Sequence, residues 1–228
     1  MNPALIRLLQ LSDPALPVGG FSHSAGLETY VQLGIVKDTT TAEAFVRGML
    51  SQNIHFTDAA IVSLVHDAIT TMQADEIKLL DDLCTAVKMP KEMRHASKKL
   101  GTRLIKIFQP LCNNDWLNKY AAAIQAKQLT GHYCIAFGII ASGLQIPKAD
   151  ALTGFYYNAA TGFITNSVKL IPLSQQSGQE LLFSLHPLIS QLVQNNLQPD
   201  AAMIGVCCPG FDIRSMQHEQ LYSRLYMS

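Results

Sequence analysis

YCIAFGIIASGL, residues 133–144, is the apolar centre of a charge-free span that runs from Gln128 to Pro147. A helix that crosses a membrane needs about 20 mainly apolar residues, and this centre has only 12. His132 and three glycines of the span would also have to lie in lipid. The stretch therefore predicts a helix buried inside a protein core, with the rest of the chain arranged around it.

Charge is scarce well beyond this stretch. Between Ala121 and Asn196 the charged side chains are Lys127, Lys148, Asp150, Lys169 and Glu180. A helix surrounded by water needs a polar face, so helices in this half of the chain must contact other protein on most of their sides.

The overall composition points the same way. The chain has 228 residues, 17 Lys+Arg, 17 Asp+Glu and 15% charged residues, against about 25% in ordinary soluble domains. Zero formal net charge disfavours nucleic acid or an anionic membrane surface as the main partner, because neither would be attracted over distance. Too few charged side chains remain to coat a monomer of this size, which predicts that another subunit covers part of the surface.

Helical spacing of apolar residues dominates the sequence, and no alternating run is long enough to indicate a sheet. We predict an all-α fold: a single domain of about eight to ten helices over residues 1–197, with a flexible C-terminal tail over residues 198–228 that docks on a partner. The first helix should bury a stripe made of Leu5, Leu8 and Leu9.

Two features mark a later helix. Thr40 and Glu43 stand at the spacing of a capping box, which predicts that a helix begins there. The helical pattern continues beyond Phe56 and Thr57, where we expect the helix to bend or break.

The tail has a pattern of its own. Residues 200–211 show little periodicity, whereas Leu221 with Leu225 and Tyr222 with Tyr226 fall at i,i+4 spacing. This spacing predicts a short amphipathic segment that is joined to the domain by a flexible stretch and becomes ordered when it docks on a partner.

Motifs for enzymatic chemistry are incomplete. Gly19 and Gly20 precede a helix, but the lysine of a phosphate-binding loop does not follow. The run from Gly20 to Ser24 imitates GxSxG but lacks the final glycine and a preceding strand. We predict that the protein is not an enzyme. The alternative, a helical enzyme with a pocket in the charge-poor half, would need an organised cluster of titratable residues.

The cysteines and histidines lack the CxxC, HxH or HxxxH spacing of a metal site built within one chain. We predict no bound metal, no cofactor and reduced, unliganded thiols, although the fold or a dimer axis can bring distant residues together. No basic and then apolar leader precedes residue 20, which predicts a reducing, cytoplasmic location. The cysteines are Cys84, Cys112, Cys134, Cys207 and Cys208.

Three blocks of the chain carry a family resemblance. They are LSDPALPVGGFSHSAGLE at residues 11–28, SVKLIPLSQQ at residues 167–176, and HEQLYSRLY at residues 218–226. Together, and in this order, they resemble the urease accessory protein UreF family. Residues 40–120 match only in their helical pattern.

The resemblance implies an all-α homodimer with no chemistry of its own. Members of the family bridge a second accessory protein, UreD (also called UreH), and the nickel-carrying GTPase UreG, and the assembly acts on apo-urease while nickel enters. The alternative is a direct regulator of GTP hydrolysis by UreG, with Arg224 or another arginine reaching the nucleotide.

The resemblance also implies a set of partner-binding residues. Those around the dimer and the UreG side are Phe21, His23 and Glu28. Those of the following helical block are Lys169 and Gln176. Those of the tail that becomes ordered against UreD are Tyr222, Arg224 and Tyr226.

Several of these residues have a plainer interpretation. Phe21 fits a hydrophobic staple at a helix entry as well as it fits a partner contact, and His23 and Glu28 can simply cap and solvate a helix. Lys169, if buried, would need a paired charge or carbonyl groups. Arg224 has tyrosine neighbours, which favours an interface anchor over an idle terminal charge.

Overall fold

The structure, a computed structural model, describes residues 3–206 and 208–227, so Cys207 lies outside the described residues. The helices are α1 (Pro3–Leu11), α2 (Leu27–Gln32), α3 (Thr39–Gly48), α4 (Ala60–Thr70), α5 (Ala74–Val87), α6 (Lys91–Phe108), α7 (Asp115–Gln125), α8 (Tyr133–Gly143), α9 (Lys148–Leu170), α10 (Gln175–Ser184), α11 (His186–Asn196) and α12 (Pro209–His218). A π-helical segment, Met49–Ala59, joins α3 to α4 in one continuous rod. The all-α prediction is confirmed: with the rod counted once, the described residues up to 197 form ten separate helices, the upper end of the predicted range, and α12 follows in the C-terminal segment.

Helix α8 is the predicted buried helix. Every residue from Cys134 to Ala141 is buried, and the helix lies between α4 and α6 with further contacts to α7 and α9. A helix that is apolar on all sides is stable only where protein surrounds it. The prediction drawn from the apolar stretch is confirmed.

The 23-residue helix α9 organises the other half of the molecule. It contacts α11, α10, α1, α2 and α3. The rod that contains the π segment contacts both α8 and α9, since α4 packs on α8 and the π segment packs on α9. The two halves therefore share one continuous apolar core.

The π segment replaces the break expected at Phe56 and Thr57. The chain stays helical there, and the Thr57 hydroxyl donates to the carbonyl of Asn53 at 2.7 Å. The wider turn points His55 and Asp58 into the interior, where both are buried. Short π segments often accompany functional sites, because they redirect side chains without ending the helix.

A buried polar tie joins this rod to α9 and α11. His55 Nδ1 lies 2.8 Å from the Tyr156 hydroxyl. The Asn196 side-chain amide donates to that hydroxyl at 2.7 Å and to the carbonyl of His55 at 2.9 Å. The three buried groups satisfy one another, as polar groups in a protein interior must.

The start of α3 differs from the prediction. The capping box consists of Asp38 and Thr41, not Thr40 and Glu43: the Asp38 carboxylate accepts from the Thr41 amide at 2.8 Å, and the Thr41 hydroxyl oxygen accepts from the Asp38 amide. The ionised Asp38 is the stronger acceptor for the unpaired amides of the first turn. Glu43 instead pairs with Arg47 on the surface.

The buried face of α1 also differs from the prediction. Leu8 and Leu11 are buried, whereas Leu5 and Leu9 are exposed by 53% and 64%. The helix lies across α9 and α8, so only the face that meets them is covered. With Ile6, the two exposed leucines leave an apolar strip on the surface.

Among the described residues, no helix combines the length and the apolar character that crossing a membrane requires.

Two glycines give a matched test of the packing around α8. A Cβ added at Gly101 of α6 would lie 2.7 Å from the carbonyl carbon of His132 and 2.9 Å from the Tyr133 nitrogen, whereas one at Gly162 of α9 would meet nothing within 4 Å. We expect Gly101→Ala to lower the free energy of unfolding by about 1–3 kcal/mol, because backbone atoms must move. Gly162→Ala should raise it by about 0.5–1 kcal/mol.

Urea unfolding of the two variants beside the unchanged chain measures both effects. Shifts of the same sign in the two variants would contradict the close contact between α6 and the entry of α8.

Candidate partner-docking site at the C-terminal segment

The loop between α1 and α2 is fixed at several points. Gly19 adopts the left-handed conformation with φ 86°, and the Ser22 hydroxyl donates to its carbonyl at 2.8 Å. The Asn166 side-chain amide of α9 donates to the carbonyl of His23 at 2.8 Å. Between these contacts, the 3-10 turn carries Phe21 on its outer side, 73% exposed.

The C-terminal segment folds back onto the body of the molecule. Helix α12 contacts α2 and α6, and its own residues Phe211 and Ser215 are buried. The prediction of helical i,i+4 pairs at residues 221–226 is wrong: the amphipathic helix is α12, and the chain beyond it forms turns and bends. The reason is that the amides of Leu225 and Tyr226 donate to a distant carboxylate rather than to the preceding turn of a helix.

That carboxylate belongs to Glu28, in the first turn of α2. It accepts the amides of Leu225 at 2.8 Å and Tyr226 at 3.1 Å, and it lies 3.1 Å from His218 Nε2. Glu28 is buried.

A second carboxylate, Glu92 of α6, completes the contact. His218 is fully buried, and its Nδ1 lies 2.6 Å from Glu92 Oε2. Arg224 Nη1 donates to Glu92 Oε1 at 2.8 Å. With both carboxylates ionised, each of them only accepts, and the ring then donates to both of them.

We call Glu28, Glu92, His218 and Arg224 the tail clamp. It pairs two acidic side chains with two basic ones, and ionisable groups in a protein interior need such partners. The clamp connects α2 and α6 to the segment after α12, so it fixes where the tail lies.

A family model described as UreF matches residues 36–186 of the chain. The chain belongs to the UreF family. It is 47% identical to the urease accessory protein UreF of Actinobacillus pleuropneumoniae serotype 5b (strain L20), over 97% of each chain. Identity to the protein of that name from Haemophilus influenzae (strain PittEE) is 47%, over 97% of this chain and 94% of the relative. Identity to the urease accessory protein UreF of Arthrobacter sp. (strain FB24) is 32%, over 98% of this chain and 96% of the relative.

The three tail residues implied by the UreF resemblance lie in different environments. Tyr222 is fully exposed, and Arg224 is partly exposed within the tail clamp. Tyr226 is buried beside Glu28, and burial, followed by the charge of Glu28, raises the pKa of its hydroxyl. Leu225 and Met227 are exposed by 72% and 55%.

The end of the tail meets the Phe21 loop. The amide of Met227 donates to the carbonyl of Ser22 at 2.9 Å, so Phe21, Leu225 and Met227 belong to one region of the surface. With Tyr222, we call these residues the tail surface. Because Phe21 is exposed, the packed staple is excluded, and the UreF-type partner contact remains its candidate role.

His23 lies beside the tail clamp. It lines a cavity of about 320 Å³ together with Glu92, His95, Lys99 and Arg224. Burial, followed by the positive charge of Lys99, lowers the pKa of the His23 imidazole. The neutral ring is therefore favoured at this edge of the tail surface.

The second block of the resemblance does not join the clamp. Lys169 is exposed at the last turn of α9, so it needs no buried partner. Gln176 is exposed in the first turn of α10, where its amide donates to Glu180 at 3.0 Å. Among the hydrogen bonds and ion pairs of the described residues, none connects either side chain to the tail.

The sequence reasoning missed His218 and Glu92 as site residues. His218 opens the third block of the resemblance, which was a usable signal. Glu92 carries no such signal, because 126 residues separate it from His218 and only the fold brings them together.

Glu28→Gln tests the clamp. The substitution removes the charge and turns one acceptor into an amide donor that faces the tail. Hydrogen bonds to a charged group contribute about 1.5–3 kcal/mol, and about 1.4 kcal/mol corresponds to a factor of ten. We expect the amides of Leu225 and Tyr226 to exchange hydrogen about ten to a hundred times faster.

Glu43→Gln is the matched control, because Glu43 pairs with Arg47 on the surface of α3. It should leave exchange in the tail unchanged. Equal exchange rates in both variants and in the unchanged chain would show that Glu28 does not hold the tail.

Proposed function

We propose that this UreF-family protein is a non-enzymatic scaffold for nickel insertion into urease. It works in the cytoplasm as a homodimer that bridges UreD/UreH to the GTPase UreG while apo-urease receives the metal. The observation that carries the proposal is 47% sequence identity, over nearly the full length of the chain, to proteins named urease accessory protein UreF. The rest of the proposal applies to this chain what the family resemblance implies.

The tail surface supports a docking role for UreD/UreH. Tyr222, Leu225 and Met227 expose apolar and aromatic area at the end of the chain, and aromatic side chains are frequent anchors in protein interfaces. The tail clamp neutralises the charges behind them, so a partner meets a surface that costs little to desolvate. Phe21 extends this surface toward the side proposed for UreG.

The exposed strip on α1 supports the homodimer. Leu5, Ile6 and Leu9 are each more than half exposed, and a chain with 15% charged residues leaves much uncharged surface to cover. A second copy is the proposed cover for such a strip.

The alternative, direct regulation of GTP hydrolysis, depends on a mobile arginine. The guanidinium of Arg224 is held by Glu92 at 2.8 Å, which favours a structural role for it in the tail. Turnover of GTP by UreG with and without this protein separates the two functions: an unchanged rate supports the scaffold, and a changed rate supports the regulator.

Tyr222→Ala tests docking without disturbing the fold, because the side chain is fully exposed. Loss of an aromatic anchor should weaken binding of UreD/UreH at least tenfold. Phe183→Ala on α10 is the matched control, since Phe183 is 74% exposed and lies away from the tail in sequence. Titration of UreD/UreH with each variant measures the difference.

A truncation sharpens the test. Removal of residues 221–228 leaves the buried His218 in place, whereas a cut before Gln217 would also remove part of the core contact. The shorter chain should keep the oligomeric state of the unchanged protein, as measured by light scattering, and lose UreD/UreH binding. Binding that survives both the truncation and Tyr222→Ala would contradict docking through the tail surface.

A further inference from the structure

A second polar cluster lies in the core, outside the tail clamp. It consists of Asp58 in the π segment, Cys84 on α5 and Cys134 in the first turn of α8, all three buried. One ligand atom from each, a carboxylate oxygen and two sulfurs, lies within 4.8 Å of the other two. The two sulfurs are 3.4 Å apart.

These distances suit a tetrahedral metal ion. Two thiolates on zinc, each at about 2.3 Å, lie roughly 3.8 Å apart. The pair Cys84 and Cys134 has to open by only a few tenths of an ångström, and Asp58 has to approach by about 1 Å at most.

Neighbouring groups leave one Asp58 oxygen for the ion. Both described hydrogen bonds of the carboxylate fall on Oδ2: Lys88 Nζ donates at 2.6 Å and the Thr57 hydroxyl at 3.2 Å. Oδ1 is therefore the candidate ligand atom, and Lys88 orients the carboxylate from behind. Outer partners of this kind are a regular part of metal sites.

His132 orients the thiol side of the cluster. Its Nδ1 lies 3.1 Å from the Ser97 hydroxyl and its Nε2 lies 2.9 Å from the Thr85 hydroxyl. Its ring is also one of the groups that lower the pKa of the Cys84 thiol. His132 is therefore a positioning residue.

The charge balance favours a divalent ion. Without metal, Asp58 and Lys88 cancel each other, so the cluster carries no net charge when both thiols hold their protons. When a divalent ion replaces the two thiol protons, two S–H bonds break, two metal–sulfur bonds form, and two protons leave to solvent. The buried cluster stays neutral and nothing is oxidised or reduced.

A route from the surface reaches the cluster. A cavity of about 270 Å³ runs from Gly20 and His23 in the loop after α1 to Asp58 and Lys88. The cavity gives access to the carboxylate side of the cluster, and neither cysteine lines it.

We propose that Asp58, Cys84 and Cys134 form a binding site for a thiophilic divalent cation of the zinc type, with the fourth coordination position left for a ligand from the cavity. The sequence favours unliganded thiols, because these residues lie 26 and 50 positions apart without any metal-site spacing. Only the meeting of the π segment, α5 and α8 creates the site. It does not depend on the scaffold role.

The test uses the full chain, treated with a chelator and kept reduced with a phosphine. Titration with Zn²⁺ against a coloured chelator should show one tight site per chain and the release of the protons that the two thiols hold at the pH of the experiment. Co²⁺ in place of Zn²⁺ should give a thiolate-to-cobalt charge-transfer absorption.

Variants locate the site. Cys84→Ser and Cys134→Ser should each weaken binding at least a hundredfold, and Asp58→Asn at least tenfold. Cys112→Ser is the matched control, because Cys112 is a half-buried thiol that donates to the carbonyl of Phe108. It should bind like the unchanged chain.

Two results would overturn the site: the absence of stoichiometric binding by the unchanged chain, or binding of unchanged strength after Cys84 and Cys134 are both replaced. If a serine variant fails to fold by circular dichroism, the proton count and the cobalt absorption of the unchanged chain decide between two thiolate ligands and none.

Discussion

A helix that is apolar on every side has to be covered on every side, and the arrangement of the other helices follows from that requirement. Helix α8 meets this need by lying between α4 and α6, with glycines at the closest points. A Cβ at Gly138 would lie 2.7 Å from the side chain of Val65, and Gly101 gives the same close approach on the α6 side. The rod with the π segment then carries the core from α8 to α9.

Buried charge imposes a second requirement, which the tail meets. Glu28 lies in the protein interior and needs partners, and residues 218–226 supply the His218 ring and two backbone amides. Arg224 then completes the pairing of Glu92. Tyr222, Leu225 and Met227 stay exposed outside this cluster, so the same contact that anchors the tail also shapes the face proposed for UreD/UreH.

The sequence predicts the features that depend on local composition. The burial of residues 133–144 follows from their apolar character, and the helical class follows from spacing. The cap of α3 was misplaced because Asp38 competes with Thr40 for the same role within three residues. The buried face of α1 was also misplaced, because it depends on what packs against the helix rather than on its own pattern.

Candidate sites are harder to predict when their parts are far apart in the chain. The family resemblance named Glu28 and Arg224, and the structure places both in the tail clamp. It gave no sign of Glu92, and spacing gave no sign that Asp58 would meet Cys84, because long-range contacts leave no periodic signal. Lys169 and Gln176 lie on the surface, and their roles stay predictions.

The separation of the clamp residues also affects how the protein is made. Glu28 leaves the ribosome 198 residues before Tyr226, which at ordinary rates of synthesis is roughly 10 to 40 seconds. During that time Glu28 of α2 and Glu92 of α6 lack the tail residues that they contact in the finished fold. A nascent chain therefore cannot present the finished surface, and assembly with a partner that recognises it has to wait until translation has passed those last turns.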